Sequence, residues 1–208
     1  HAALATSAAG SPSADTRRDS RAARRIDAGA AADAADAFRG AVEPYPIDVI
    51  VQPVAGRRKK LFLADMDSTM IGQECIDELA DFVGLKVQVS NITERAMRGE
   101  LDFEEALRSR VALLEGLPES AIDQCLAERV KIMPGARALV RTVRAQGGNA
   151  ILVSGGFTRF AEPVAKEIGF NRSVANRLGI SGGVLSGTVE GAIVGAATKK
   201  QVLEQAVI

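Results

Sequence analysis

The chain has 208 residues, with 26 basic and 26 acidic side chains and a formal net charge of zero at pH 7. This balance gives no global attraction to nucleic acid or to an anionic membrane, and no apolar run reaches the roughly 18 residues of a membrane-spanning helix. The single histidine is residue 1, which excludes Ser-His-Asp and Cys-His catalysis. Two cysteines are too few for a disulfide scaffold, so we expect a reducing, cytoplasmic location.

Residues 1–58 are predicted to form an N-terminal remnant and linker. The first 40 residues include 15 alanines and few large apolar side chains, so this part is expected to be partly disordered. Its arginines suggest a targeting segment, but interleaved aspartates argue against one. The sequence predicts a short strand between Pro46 and Pro53, which would be the end of an amino-acid-binding-like domain. Residues 57–60, all Arg or Lys, are interpreted as a solvated linker rather than a nuclear signal or phosphate patch.

From residue 59 onward the pattern changes to alternating strands and helices. The apolar runs 61–64 and 150–153 are typical of buried parallel strands. Between them, over residues 75–133, apolar residues recur at helical spacing, and Gly-rich pieces around 178–189 indicate hairpin turns. The pattern predicts an α/β core of residues 59–74 and 134–208 with a helical cap, residues 75–133, over the strand ends where such sheets bind ligands.

Two carboxylates follow the first predicted strand, in the segment Asp65-Met66-Asp67-Ser68-Thr69. Because alternate side chains of a strand point the same way, Asp65 and Asp67 are forced together. Their repulsion is relieved either by a cation such as Mg²⁺ or by one raised pKa. After the second strand, the hydroxyl of Ser154 and the glycine amides beside it could hold phosphoryl oxygens, although Ser-Gly-Gly is also an ordinary strand-to-helix turn.

In this order, these segments resemble the motifs of the haloacid dehalogenase superfamily. Asp65-Met66-Asp67-Ser68-Thr69 resembles the first motif, Ser154-Gly155-Gly156 the second, and Lys199 at a helix start the third. The resemblance covers residues 59–208 and is strongest to members that act on O-phosphoserine, through further similar segments: 65–71, Glu74, 96–111 and 153–157. It implies a Rossmann-like parallel sheet core with a helical cap inserted after the first core strand.

The resemblance also implies an activity and its catalytic residues. The reaction would be Mg²⁺-dependent hydrolysis of O-phosphoserine, the last step of serine biosynthesis. Asp65 would be the nucleophile that forms an aspartyl phosphate, and Asp67 would protonate the leaving oxygen and then activate water. Asp65 and the backbone carbonyl of Asp67 would bind the metal. Lys199 would stabilise the phosphoryl charge, with its neighbour Lys200 as the rival candidate.

Substrate-binding residues follow from the same resemblance. Glu74 would bind the ammonium group of the amino acid and Arg110 its carboxylate. Phe103 precedes Arg110 by seven residues, which places both on one helix face. The resemblance places an aromatic residue against the substrate there, although Phe103 alone also fits a core position. Met97 is assigned a similar place.

The superfamily's fourth motif, a Gly-Asp loop with a further metal-binding aspartate, does not occur between Lys199 and Ile208. We therefore expect a domain that is incomplete at its C-terminus. Three hypotheses stay open: a phosphatase for O-phosphoserine, a related phosphatase or phosphotransferase for another small phosphorylated metabolite, and a phosphoamino-acid-binding fragment without catalysis. The sequence leaves a homodimer open.

Overall fold

The computed structural model describes residues 28–52 and 55–207, apart from the side chains of residues 28–32 and of Met97. The chain divides into two units between Arg58 and Lys59. In the first unit, Ala28–Val42 forms helix α1. The low apolar content predicted little structure there, but alanine has the highest intrinsic helix propensity. The rest of that expectation falls on residues 1–27, which lie outside the described residues.

The strand predicted between Pro46 and Pro53 is wrong for residues 47–52, which form no regular secondary structure. A strand is stable only when its backbone groups pair with a neighbouring strand. The described residues of this unit contain no second strand that could pair with it. Ile50 is 74% exposed, so burial does not compensate for the missing pairing.

The second unit contains a four-stranded sheet in its described residues. Its strands, in spatial as well as chain order, are β1 (Leu61–Ala64), β2 (Asn149–Phe157), β3 (Arg172–Ser181) and β4 (Val184–Glu190). The first three are parallel, and β4 returns antiparallel to β3 as the predicted hairpin. The predicted α/β sheet is confirmed. Because Ala64 pairs with Leu152, Asp65, directly after β1, lies beside residues 153–154 of β2. The sequence analysis expected Ser154-Gly155-Gly156 to follow the second strand, but these residues lie within β2, near its carboxyl end.

The helical cap predicted between the first two strands is also confirmed. It consists of α2 (Cys75–Phe82), α3 (Lys86–Met97), α4 (Phe103–Ala112) and α5 (Ser120–Arg129). The side chain of Asp102 starts α4 by accepting a hydrogen bond from the Glu105 amide at 2.8 Å. The core helices are α6 (Ala136–Ala145), α7 (Thr158–Ile168) and α8 (Ala196–Ala206).

The cap is attached to the core by more than its two connecting segments. Gly116 in the cap donates a backbone hydrogen bond to Leu185 of β4, and Leu185 donates one to Leu117, both at 2.8 Å. Buried side chains of cap and core form one continuous hydrophobic cluster that includes Leu107 and Phe157. These contacts hold α4 over the carboxyl ends of the parallel strands.

None of the helices in residues 28–52 and 55–207 is both long and apolar enough to cross a membrane. Cys75 and Cys125 are buried and form no disulfide.

Candidate active site

A cavity of about 460 Å³ lies between the cap and the carboxyl ends of β1 and β2. Five charged side chains line it: Asp65, Asp67, Glu74, Arg110 and Lys199. Small and apolar residues form the rest of its wall: Ile76, Phe103, Leu107, Ser154, Gly155, Gly156, Phe157, Val194, Gly195 and Ala196. Residues from the first strand, the cap, the second strand and the last helix therefore meet in one place.

The carboxylate of Asp65, directly after β1, is held at both oxygens. The Met66 amide donates to Oδ1 at 2.9 Å, and the ammonium group of Lys199 pairs with Oδ2. Lys199 lies in the first turns of α8, whereas Lys200 is exposed and pairs with Glu204 at 3.8 Å. The structure thus places Lys199, and not its rival, against Asp65.

The carboxyl group of Asp67 lies in a more buried position. Burial raises its pKa to about 6; hydrogen bonding to the Cys75 thiol opposes the shift, and the charge of Glu74 adds to it. Oδ1 of Asp67 is buried without a hydrogen-bond partner in the described residues. An unpartnered buried carboxylate oxygen is unfavourable until a proton or a cation reaches it.

The cavity fits a divalent cation in a limited sense. No group of three or more His, Cys, Asp or Glu side chains suited to a metal occurs in residues 28–52 and 55–207. Mg²⁺, however, is commonly held by one or two carboxylates together with water and substrate phosphate. The Asp65 carboxylate supplies the charged ligand of such a set, and the backbone carbonyl of Asp67, two residues later, is the candidate second ligand, which leaves the Asp67 carboxyl group free to carry a proton.

The Ser154-Gly155-Gly156 segment, at the end of β2, is fixed from two sides. The Gly156 amide donates to Oγ of Ser154 at 2.8 Å, and the buried serine hydroxyl donates to no acceptor among the described residues. Asn176, on β3 and only 1% exposed, donates to the Gly155 carbonyl and accepts from the Val194 amide, both at 2.7 Å. Asn176 thereby ties this segment to the loop that leads into α8 and Lys199.

Asn176 was not among the residues singled out from the sequence. The available signal was an asparagine inside the apolar segment Val174-Ala175-Asn176, because asparagine is depleted in strands unless its amide is satisfied.

The cap contributes Phe103 and Arg110 from opposite ends of α4. The Phe103 ring lies over the core glycines, since a β-carbon built on Gly155 or Gly195 would lie 3.2 or 3.6 Å from ring atoms. Nε of Arg110 donates to the Ala106 carbonyl at 3.2 Å, and Arg110 forms no salt bridge with any described residue. Its guanidinium therefore lines the cavity without a protein carboxylate to neutralise it.

Eight of the nine site residues predicted from the sequence line this one cavity: Asp65, Asp67, Glu74, Phe103, Arg110, Ser154, Gly155 and Lys199. The ninth, Met97, is the last residue of α3, and its side chain lies outside the described part of the structure. Glu74 also accepts a hydrogen bond from the Ser68 hydroxyl at 2.6 Å, a contact that the sequence pattern did not suggest.

Comparison with known proteins gives one family and consistent relatives. Residues 62–208 match the family of haloacid dehalogenase-like hydrolases. A curated phosphoserine phosphatase of Archaeoglobus fulgidus is 40% identical over 177 residues, which cover 84% of this chain and 51% of the relative. This chain thus spans about half the length of that relative.

Two solved structures are also similar. A phospho-aspartyl intermediate analogue of phosphoserine phosphatase has a TM-score of 0.64 at 37% identity. A substrate-bound phosphoserine phosphatase complex has a TM-score of 0.65 at 36% identity. In both comparisons the match covers 71% of this chain and 70% of the other.

Proposed function

This chain belongs to the haloacid dehalogenase-like hydrolase family, and we propose that it carries the catalytic site of a phosphatase that hydrolyses O-phosphoserine to serine and phosphate. One observation carries the proposal: the Asp65–Lys199 pair shares a cavity with Glu74 and Arg110. The first pair suits phosphoryl transfer, and the second matches the two charges of an amino acid. The relatives named phosphoserine phosphatase support the same substrate.

We assign nucleophilic attack on phosphorus to Asp65. Its two oxygens are held by the Met66 amide and by Lys199, so its orientation is set before substrate arrives, and positioning is a main source of rate in phosphoryl transfer. Lys199 also brings a positive charge to the phosphoryl oxygens as negative charge develops on them. The Ser154 hydroxyl donates to another of these oxygens. The phosphoryl group passes to Asp65 as an aspartyl phosphate, and the solved intermediate analogue of a relative supports this step.

Asp67 then serves as the proton donor and acceptor. A pKa near 6 allows its carboxyl group to be protonated when substrate binds and to give that proton to the departing serine oxygen. The resulting carboxylate accepts a proton from water as the water attacks the aspartyl phosphate. This cycle needs no histidine.

The cap and the turn after β1 select the substrate. Glu74 binds the ammonium group and Arg110 the carboxylate, while Phe103 closes over the chain atoms between them. We propose residues 75–133 as this substrate-selecting cap and residues 59–74 and 134–208 as the catalytic core. Mg²⁺, held by the Asp65 carboxylate and the backbone carbonyl of Asp67, would neutralise phosphate charge. We place the reaction last in serine biosynthesis, in the cytoplasm.

The proposal is tested by measuring phosphate release from O-phosphoserine, O-phosphoethanolamine and phosphocholine, with Mg²⁺ and with excess EDTA. We expect kcat/KM to be highest for O-phosphoserine and activity to be lost in EDTA. Faster turnover of either of the other two esters would contradict the substrate assignment and favour the related-phosphatase hypothesis. Full activity in EDTA would contradict the metal assignment, and binding of O-phosphoserine without turnover would favour the non-catalytic hypothesis.

A further inference from the structure

We infer that Ser68 is a positioning residue that sets the selectivity of this site for an ammonium group by holding Glu74, an inference that rests on the proposed function. The Ser68 hydroxyl donates a hydrogen bond to Oε1 of Glu74 at 2.6 Å. Glu74 lines the cavity, and Ser68 is not among the lining residues in the described chain. Ser68 therefore acts on a bound substrate through Glu74.

The backbone of Ser68 is held in an unusual conformation. Its φ is 50°. Within residues 28–52 and 55–207, Ser68 is the only residue other than glycine with a positive φ. Serine rarely adopts this left-handed region unless the surroundings impose it, and such strain concentrates at functional sites. Here the Ser68 amide donates to the Gln73 carbonyl at 3.1 Å, and three following amides, those of residues 69–71, all donate to the Met66 carbonyl.

This hydrogen-bonded turn has a specific geometric consequence. It folds residues 66–73 back on themselves, so that the side chain of Ser68 meets Glu74, six residues later. The backbone of Glu74 is fixed in turn, because its carbonyl accepts the amides of Asp77 and Glu78 at the start of α2. Both partners thus have a fixed backbone, and the hydrogen bond fixes the long glutamate side chain between them.

The hydrogen bond from Ser68 uses one of the two carboxylate oxygens of Glu74. Oε1 is occupied by Ser68, and no other hydrogen bond or salt bridge to this carboxylate occurs within the described residues. Oε2 is consequently left to a ligand. An exposed glutamate side chain loses conformational entropy when it binds a ligand. A side chain that is already held by a hydrogen bond loses less. The hydrogen bond from Ser68 therefore strengthens binding of an ammonium group without taking part in phosphoryl transfer.

A direct role of Ser68 at the phosphoryl group is disfavoured by the same geometry. A hydroxyl has one hydrogen to donate, and that of Ser68 is directed to Glu74. Loss of the hydroxyl should therefore lower the preference, measured as a ratio of kcat/KM values, for a substrate with the ammonium group over one without it.

The test compares O-phosphoserine with 3-phosphooxypropionate, which keeps the phosphate and the carboxylate but lacks the ammonium group. The quantity measured is the ratio of the two kcat/KM values. Ser68→Ala and Ser68→Gly both remove the hydroxyl, but only the second relieves the strained φ. We expect both to lower the ratio by a similar factor, roughly 10- to 150-fold for one hydrogen bond to a charged group, mainly through a higher KM for O-phosphoserine.

The decisive measurement is the Ser68→Ala change in a Glu74→Gln background. If Ser68 acts through Glu74, this second substitution should alter the ratio by less than about twofold. An unchanged ratio in Ser68→Ala, or equal effects in both backgrounds, would overturn the inference while leaving the proposed function intact. An unchanged ratio in Glu74→Gln alone would instead overturn the ammonium assignment in the proposed function, and the inference with it.

Discussion

The ring of Phe103, at the start of cap helix α4, lies directly over Gly155 of the core, and a β-carbon at position 155 would be 3.2 Å from the ring atom Cζ. This contact closes the cavity at the point where cap and core meet. Since this distance is tighter than nine in ten real contacts of a β-carbon, an alanine at position 155 would require the Phe103 ring to shift.

Gly155→Ala should displace the Phe103 ring by a few tenths of an ångström and lower kcat/KM for O-phosphoserine roughly ten- to hundredfold. In a Phe103→Leu background, Gly155→Ala should lower kcat/KM by less than about threefold, because the ring that the new β-carbon would approach is absent. Gly40→Ala is a matched control, since its β-carbon would meet nothing within 4 Å. Equal losses in both backgrounds would indicate that Gly155 acts through its amide rather than through Phe103.

Asp65→Asn should abolish phosphate release and leave the fold intact, because the amide has nearly the same shape but cannot form an acyl phosphate. Borohydride treatment during turnover should convert Asp65 of the unsubstituted protein to homoserine, detectable by peptide mass spectrometry. Homoserine at position 67 instead would contradict the assignment of the nucleophile.

The raised pKa of Asp67 predicts a pH-dependent stability of the metal-free protein. The ordinary pKa of 3.8 rises to about 6 in the fold because of burial, so the folded state binds a proton more tightly than the unfolded state. The stabilising effect of this proton is complete below pH 3.8 and is lost as the pH rises through 6. A shift of this size corresponds to about 2 to 3 kcal/mol.

Asp67→Asn should therefore stabilise the metal-free protein at pH 7.5 by roughly 1 to 3 kcal/mol, which corresponds to several degrees in Tm. The difference should shrink towards zero near pH 4. Thermal unfolding in EDTA at a series of pH values measures it. A constant difference at all pH values would show that Asp67 does not titrate as described.

Arg110→Ala should lower kcat/KM for O-phosphoserine by about 10² to 10⁴, because two charge-assisted hydrogen bonds to the carboxylate are lost. O-phosphoethanolamine has no carboxylate, and its kcat/KM should fall by less than about tenfold. Arg108→Ala on the same helix is a control, since Arg108 is exposed and does not line the cavity. An equal loss on both substrates would mean that Arg110 supports the cap or the phosphoryl group.

Asn176→Asp replaces the amide that donates to Gly155 with an oxygen, so two acceptors would face each other at 2.7 Å in a buried position. We expect a loss of roughly 2 to 4 kcal/mol in the free energy of unfolding, measured by urea denaturation. Asn171→Asp is the comparison, because Asn171 is exposed and its side chain only accepts a bond from the Ala150 amide. Equal effects of the two substitutions would contradict the special role of Asn176.

Much of the fold could be predicted because its signals are local. The apolar run 61–64 and the helical spacing over 75–133 report which surfaces are buried, and burial determines periodicity. The run between Pro46 and Pro53 carried a similar local signal and failed, because a strand also needs a partner that local sequence does not specify. The backbone hydrogen bonds of Leu185 with Gly116 and Leu117 could not be predicted for the same reason, because these partners are remote in the chain.

The sequence by itself determined which chemical groups are available and which of them are close neighbours in the chain. Asp65 and Asp67 follow β1 two residues apart, and the glycines beside Ser154 open its backbone. The strand alternation expected to align the two carboxylates does not apply, because β1 ends at Ala64 and Asp67 lies in the turn that follows. Only the tertiary structure decided which of these groups interact. It brings Lys199 to Asp65 across 134 residues, buries Asp67 so that its pKa rises, and turns the chain so that Ser68 holds Glu74. Burial and the distances between remote residues exist only after folding, and charge interactions depend on both.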